Sequence, residues 1–248
     1  MKKAIFLFNK TNIMPQPWVD AGHECWLFDG QHEHGVHRDV DNPQIVRVGM
    51  WFDADKPEQM LEIANMVGED IKIIVSFAEC TYLTTTGARW FYHPNDKHLP
   101  VQERRPHPAY PNRREDQRNA VKLARMVESL SSFCGNTPWM LENPAISSLN
   151  TMWRKPDYKF NPYEYGGYLP EEDVHPDYPK NYPPRDAYNK NTGIWCGNGF
   201  VMPEKKPVTP VPGDFHQVTK GGGKTLKTKN MRSCTPRGFA RAVFDANH

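Results

Sequence analysis

Apolar residues fall along the chain in short runs separated by polar turns, and their spacing predicts alternating strands and helices. Residues 3–8, KAIFLF, form a run of strand length that leads into NKTNIMPQPW, a loop carrying two prolines. DAGHECWLFD reads as a short helix followed by a second strand ending near Asp29. Residues 45–52, IVRVGMWF, make a third strand that stops at Asp53. In residues 57–67, PEQMLEIANMV, a proline stands at the start, and Met60, Leu61, Ile63 and Met66 recur at helical spacing. Residues 71–77, IKIIVSF, form a fourth strand. Strands alternating with helices predict an α/β fold, a parallel sheet flanked by helices. Ligands of such sheets sit beyond the carboxyl ends of the strands. That rule directs attention to Asn9 to Asn12, Asp29, Asp53, and Glu79 to Thr81.

Farther along, residues 93–114 are a polar, proline-rich loop with the pairs Arg104-Arg105 and Arg113-Arg114. A helix is predicted from Glu115 to Phe133, with Ala120, Leu123, Met126, Val127 and Leu130 on its apolar face. TPWMLEN resumes as a strand ending at Glu142. From Ala145 to Tyr188 the chain is rich in Pro, Tyr and Asp with little periodicity. NTGIWCGNGFVMP suggests a hairpin-like pair of short strands, KGGGKTLKTKNMR a basic segment, and Pro236 to Ala246 a closing helix. This divides the chain into a core over residues 1–144, an irregular insert over 145–235, and a helix over 236–248 that completes the core.

Composition narrows the class. The 248 residues include 38% hydrophobic and 12% aromatic side chains, enough for one sizeable core. A mean hydropathy of -0.74 with 23 prolines implies much polar loop. Net charge is only +2, so any nucleic-acid contact must come from local basic patches. No apolar stretch approaches the length of a membrane span, and MKKAIFLFNK is too short for a signal peptide. Five scattered cysteines without a CxxC pair fit a reduced, cytoplasmic protein.

The strongest local signal is SFAECTYLTTTGARWF, residues 76–91, where a strand delivers Cys80 to a polar turn. A thiol there is a candidate nucleophile, activated as thiolate by cations or amides, although a lone cysteine is more often an inert core residue. MLENP, residues 140–144, brings Glu142 to the same side of the sheet, as an acid or as a turn cap. His23, His32, His34 and His37, with Cys25 and Glu33, lie in or near GQHEHGVH, whose spacing matches no zinc pattern. A solvated polar loop and no metal site are expected there. KGGGK, residues 220–224, lacks the pattern of a phosphate loop. Trp153, Tyr158, Tyr163, Tyr165 and Tyr168 read either as packing of an irregular region or as stacking partners for bases.

ECTYLTTTGARW, then LENP, then KNTGIW at residues 190–195 and RSCTPRGFARAVFDAN at the end follow one another in a set order. This series resembles the DNA cytosine-5 methyltransferases, and most of all their small phage-borne members. The resemblance covers most of the chain. It implies a Rossmann-like methyltransferase sheet, Cys80 as nucleophile and Glu142 as the acid at the base. S-adenosylmethionine is the implied cofactor, near Phe8, Asn9, Asp29 and Asp53, with Asp55 as the alternative to Asp53. DNA, as a duplex with a flipped base or as a single strand, is the implied partner, in a host cytoplasm if the protein is phage-encoded. Arg89, Arg104, Arg105 and Arg232 are the expected DNA contacts, and residues 145–235 a possible target-recognition region. Two departures stand out. The first loop holds no glycine, and Ala78-Glu79 precedes Cys80 where the family carries prolines. They leave open a protein that modifies another pyrimidine or nucleotide, or only binds DNA or a host defence component.

Overall fold

The computed structural model describes residues 1–219 and 225–248, with the side chains of residues 86, 216 and 219 excluded. The KGGGK segment therefore lies outside the described residues. Seven strands form one sheet: β1 (Lys3–Leu7), β2 (Glu24–Arg38), β3 (Ile45–Gly49), β4 (Ile71–Ser76), β5 (Trp139–Pro144), β6 (Tyr158–Phe160) and β7 (Thr192–Gly197). Their order is β3-β2-β1-β4-β5-β7-β6. β1 to β5 run parallel, and β7 is inserted antiparallel to both β5 and β6. The expected Rossmann-like α/β fold is present. The chain winds outward from β1 to β3 and then returns to β4 beside β1, which puts the switch in winding between β1 and β4.

Helices cover both faces. α1 (Gln16–Asp20) and α7 (Arg237–Asn247) lie on one face, and α2 (Gln59–Val67) and α3 (Arg113–Phe133) on the other. α4 (Leu149–Met152), α5 (Phe215–Thr219) and α6 (Leu226–Arg232) are short connecting helices. β1 shows why: successive side chains point to opposite faces, yet all are apolar. Ala4 and Phe6 pack with Trp18 of α1 and Phe239 and Val243 of α7, while Ile5 and Leu7 pack with Met60, Ile63 and Val127. Trp18 is fully buried, edge-on to Phe6 and Phe244.

Two expectations are corrected. Residues 30–38 are not a solvated loop. After Asp29 the chain turns back and runs antiparallel along β3, pairing Val36 with Val48, His37 with Arg47 and Arg38 with Val46. Gly49 makes room for this return, because a Cβ there would meet the Glu33 carbonyl at 2.0 Å. His32 is buried rather than solvated, 3.0 Å from the Asn9 carbonyl, and burial pushes its pKa down to about 4. The hairpin expected near residue 198 does not form: β7 is a single strand whose outer partner is β6. Asn198 and Gly199, both at positive φ, turn the chain away, and the Asn247 side chain holds Val201. Of the aromatic residues in the irregular region, Trp153 stacks between Trp139 and Trp195, and Tyr165 is buried against Phe160 and Phe239. Packing accounts for these two.

Residues 145–235 contribute β6 and β7 to the main sheet. Among the described residues no helix is long and apolar enough to cross a membrane, and no group of three His, Cys, Asp or Glu could hold a metal ion.

Candidate active site

β4 and β5 are neighbours; the chain just past β4 carries Cys80, and β5 itself carries Glu142, to the same end of the sheet. Ser76 closes β4, and Phe77 still bonds to β1 through the Leu7 carbonyl. The next residues leave the sheet. Asn143 of β5 reaches across and donates to the Ala78 carbonyl at 2.9 Å. The Cys80 carbonyl accepts from both Leu83 and Thr84, and Ser148 donates to Leu83. Hydrogen bonds therefore fix this loop on both sides of Cys80.

Cys80 and Glu142 are both half-buried. Burial is the largest effect on the Cys80 thiol and raises its pKa above the ordinary 9, the Glu142 charge raises it further, and Lys190 opposes them. Glu79 adds a smaller upward push, while it accepts a hydrogen bond from the Thr81 hydroxyl. The free protein thus keeps Cys80 as a thiol at neutral pH. Lys190, the first residue of the KNTGIW segment, was given no role in the sequence, because a lysine in a polar segment gives no sign that its charge acts on Cys80. Its backbone amide donates to Asn161, and its ammonium lies 3.4 Å from the Arg232 carbonyl. Alkylation of Cys80 by iodoacetamide is expected to be slow at pH 7.5 and to rise with a midpoint above 9, which Glu142→Gln lowers. A wild-type midpoint below 8 in a peptide mass-spectrometry pH series would contradict this electrostatic arrangement.

A second group of residues gathers beyond β1, β2 and β3. The glycine-free turn is made by Phe8, whose φ of 54° is a left-handed value that side chains rarely adopt. Its ring packs on Phe52 at 4.3 Å, and Asn9 is held between the Phe28 carbonyl and His32. The Asn9 side-chain oxygen is buried without a partner. Asp29 accepts the Gln31 amide at 2.7 Å, and burial raises its carboxyl pKa. Trp51 is 77% exposed, and its indole lies against Gly30, where a Cβ would be 2.2 Å from the ring. A cleft of about 470 Å³ opens here, lined by Trp51, Phe52, Asp53, Gln59, Asn119 and Leu123. Asp53 lines it, whereas Asp55 is drawn to Lys122 of α3 at 2.7 Å. Trp51 was missed because it sits within an apolar run that reads as strand.

The expected DNA contacts are placed variously. Arg89 is exposed, 4.8 Å from the Trp90 ring. Arg104 donates to the Leu99 and Lys97 carbonyls and lies over Tyr92. Arg105 forms a bidentate pair with Asp96 and holds that carboxyl well below the usual range. Arg232 is half-buried in the last turn of α6.

No protein-family model matches the chain, and no curated protein does. Among solved structures, the chain is similar to a protein described as a DNA modification methyltransferase encoded within an E. coli prophage. The two share 12% identity at a TM-score of 0.38, over 84% of this chain and 53% of that one. The chain thus spans about half the length of that protein.

Proposed function

We propose that this chain is a DNA-modifying enzyme that transfers a methyl group from S-adenosylmethionine to C5 of cytosine. The observation that carries the reading is the convergence of Cys80 and Glu142, both half-buried, at the carboxyl ends of adjacent parallel strands.

The cofactor's demands fit the residues present. Asp29 offers a carboxylate for ribose hydroxyls, and Asn9 a buried acceptor without a partner for an ammonium group. Trp51, Phe52 and Asp53 offer flat apolar surface and an acceptor for a purine, in a cleft of a size usual for small ligands. When bound, S-adenosylmethionine supplies an electrophilic methyl group on a sulfonium. The protein must make cytosine C5 nucleophilic enough to take it. The Cys80 sulfur bonds to C6, and the electrons of the 5,6 double bond are thrown onto C5. Cys80 loses its proton to solvent as the sulfur bonds to C6, and Glu142 acts as a protonated carboxyl at the base. Glu142 then donates to N3 and stabilises the charge that develops on the ring. Once C5 carries the methyl group, its proton leaves to solvent, the double bond re-forms and the carbon–sulfur bond breaks. The base must leave the stack for this chemistry. Arg89, Arg104, Arg105 and Arg232 are the proposed phosphate contacts, and residues 145–235 the proposed reader of sequence, beside the core of 1–144 and the closing helix of 236–248.

The raised Cys80 pKa favours a second reading, in which the protein modifies a different pyrimidine or free nucleotide, or binds DNA without transfer. Incubation with labelled S-adenosylmethionine and duplex or single-stranded DNA separates the two. Label recovered at cytosine C5 is expected. Label on another base or a free nucleotide, or tight binding with no label, would overturn the first reading.

A further inference from the structure

We propose that Arg113, buried beneath the loop that follows Cys80, is a positioning residue for the nucleophile, and that Gly87 is the vacant seat that admits it. This rests on the reading of Cys80 as nucleophile.

Arg113 opens α3, yet it is 6% exposed. A cation at a helix N-terminus opposes the helix dipole, so its place there does not serve α3. Its guanidinium lies 5.2, 5.4 and 5.8 Å from the rings of Tyr82, Phe91 and Tyr110. One nitrogen donates to the Thr81 carbonyl, the residue next to Cys80, at 3.1 Å. Its Nε is buried without a partner. Among the described residues no carboxylate forms a salt bridge with it. A buried arginine that faces the Tyr82 and Phe91 rings of the loop and donates to its Thr81 carbonyl ties that loop to the start of α3.

Gly87 supplies the independent observation. A Cβ there would stand 2.3 Å from the Arg113 Nη2 and 3.4 Å from the Thr81 carbonyl. No left-handed φ explains this glycine. Its missing side chain is filled by the guanidinium. The stretch from Thr81 to Phe91 wraps around Arg113, with Tyr82, Gly87 and Phe91 all touching it. Arg113 thus complements Asn143, which holds the loop just before Cys80 through the Ala78 carbonyl. The two clamps bracket the thiol from α3 and β5.

The test reads Cys80 alkylation by iodoacetamide between pH 7 and 10.5, with Cys134 and Cys196 as half-buried references in the same protein. The groups facing Cys80 in that titration are Glu142, Glu79 and Lys190, and none is altered. Arg113→Met and Gly87→Ala are each expected to raise the Cys80 rate about tenfold and to lower its midpoint, leaving the references unchanged. Gly87→Ala reaches this result without removing the arginine, so it stands if Arg113→Met fails to fold. Arg113→Lys, which keeps a cation and a donor, is expected to restore most of the wild-type profile. An unchanged Cys80 profile in Gly87→Ala, or equal acceleration of all three cysteines, would overturn the proposal. Shifted profiles in both variants of a protein whose wild type transfers no methyl group would leave the clamp standing and remove the enzyme reading.

Discussion

Cys80→Ala is expected to lower methyl transfer by about 10⁴-fold or more, because it removes the sulfur proposed to bond to cytosine. The folded loop should survive the change. Asn143 holds it through the Ala78 carbonyl, Arg113 through the Thr81 carbonyl, and the turn closes on the Cys80 carbonyl, all backbone acceptors that alanine retains. Melting temperature and DNA affinity are therefore expected to stay near wild type, which would make the loss chemical. Glu142→Gln is the companion: it preserves shape and removes the proton that Glu142 would carry to N3, an effect of about 10²–10³-fold in turnover. The two variants separate on DNA containing 5-fluorocytosine. The glutamine variant forms the covalent adduct slowly, and the alanine variant does not form it. Transfer that survives in Cys80→Ala, measured with labelled donor, would remove Cys80 from the reaction.

Arg237→Met carries the largest expected effect on stability. Arg237 opens α7 and bridges two carboxylates, Asp173 at 2.7 Å and Asp186 at 2.9 Å. Their side chains are 9% and 2% exposed. Asp186 also accepts the backbone amides of Arg237 and Gly238. Asp173 meanwhile holds the Arg185 amide at 2.8 Å. Arg185 and Asp186 are consecutive residues at positive φ, a strained pair that these bonds keep in place. Removing the guanidinium leaves two buried charges uncompensated, which costs about 3–5 kcal/mol. At this chain length that corresponds to a fall in Tm of roughly 10 °C. Thermal unfolding followed by circular dichroism measures it. A loss below about 1 kcal/mol would mean that water reaches these carboxylates and relieves them.

What could be read from the residues alone follows the strength of the apolar pattern. β1, β3, β4 and β5 are buried on both faces, so their runs of Ile, Val, Leu and Phe announce themselves, and the buried positions of α2 and α3 recur at helical spacing. β6 left no trace, being three residues long with Tyr158 and Lys159 exposed. The returning half of β2 was hidden for a similar reason, since GQHEHGVH is polar and pairs mainly through its backbone. That Cys80 and Glu142 would meet at one end of the sheet was legible, because reactive residue types stood where apolar strands end. Arg113 was not: in sequence it is one of two adjacent arginines in a charged loop, and only the folded chain separates the buried one from its exposed neighbour Arg114. Phe8 likewise gave no hint that it would adopt the backbone geometry of a glycine.

The returning half of β2 has a consequence for how copies of this protein meet. Outer strands of a sheet expose unpaired amides and carbonyls, which invite a strand from another molecule. Here β3 is hidden beneath residues 34–38, and the new margin carries His37, Arg38 and Asp39, whose charge and hydration discourage pairing. At the opposite margin β6 is too short to template an addition. The sheet is thus guarded on both sides against fibrous self-association.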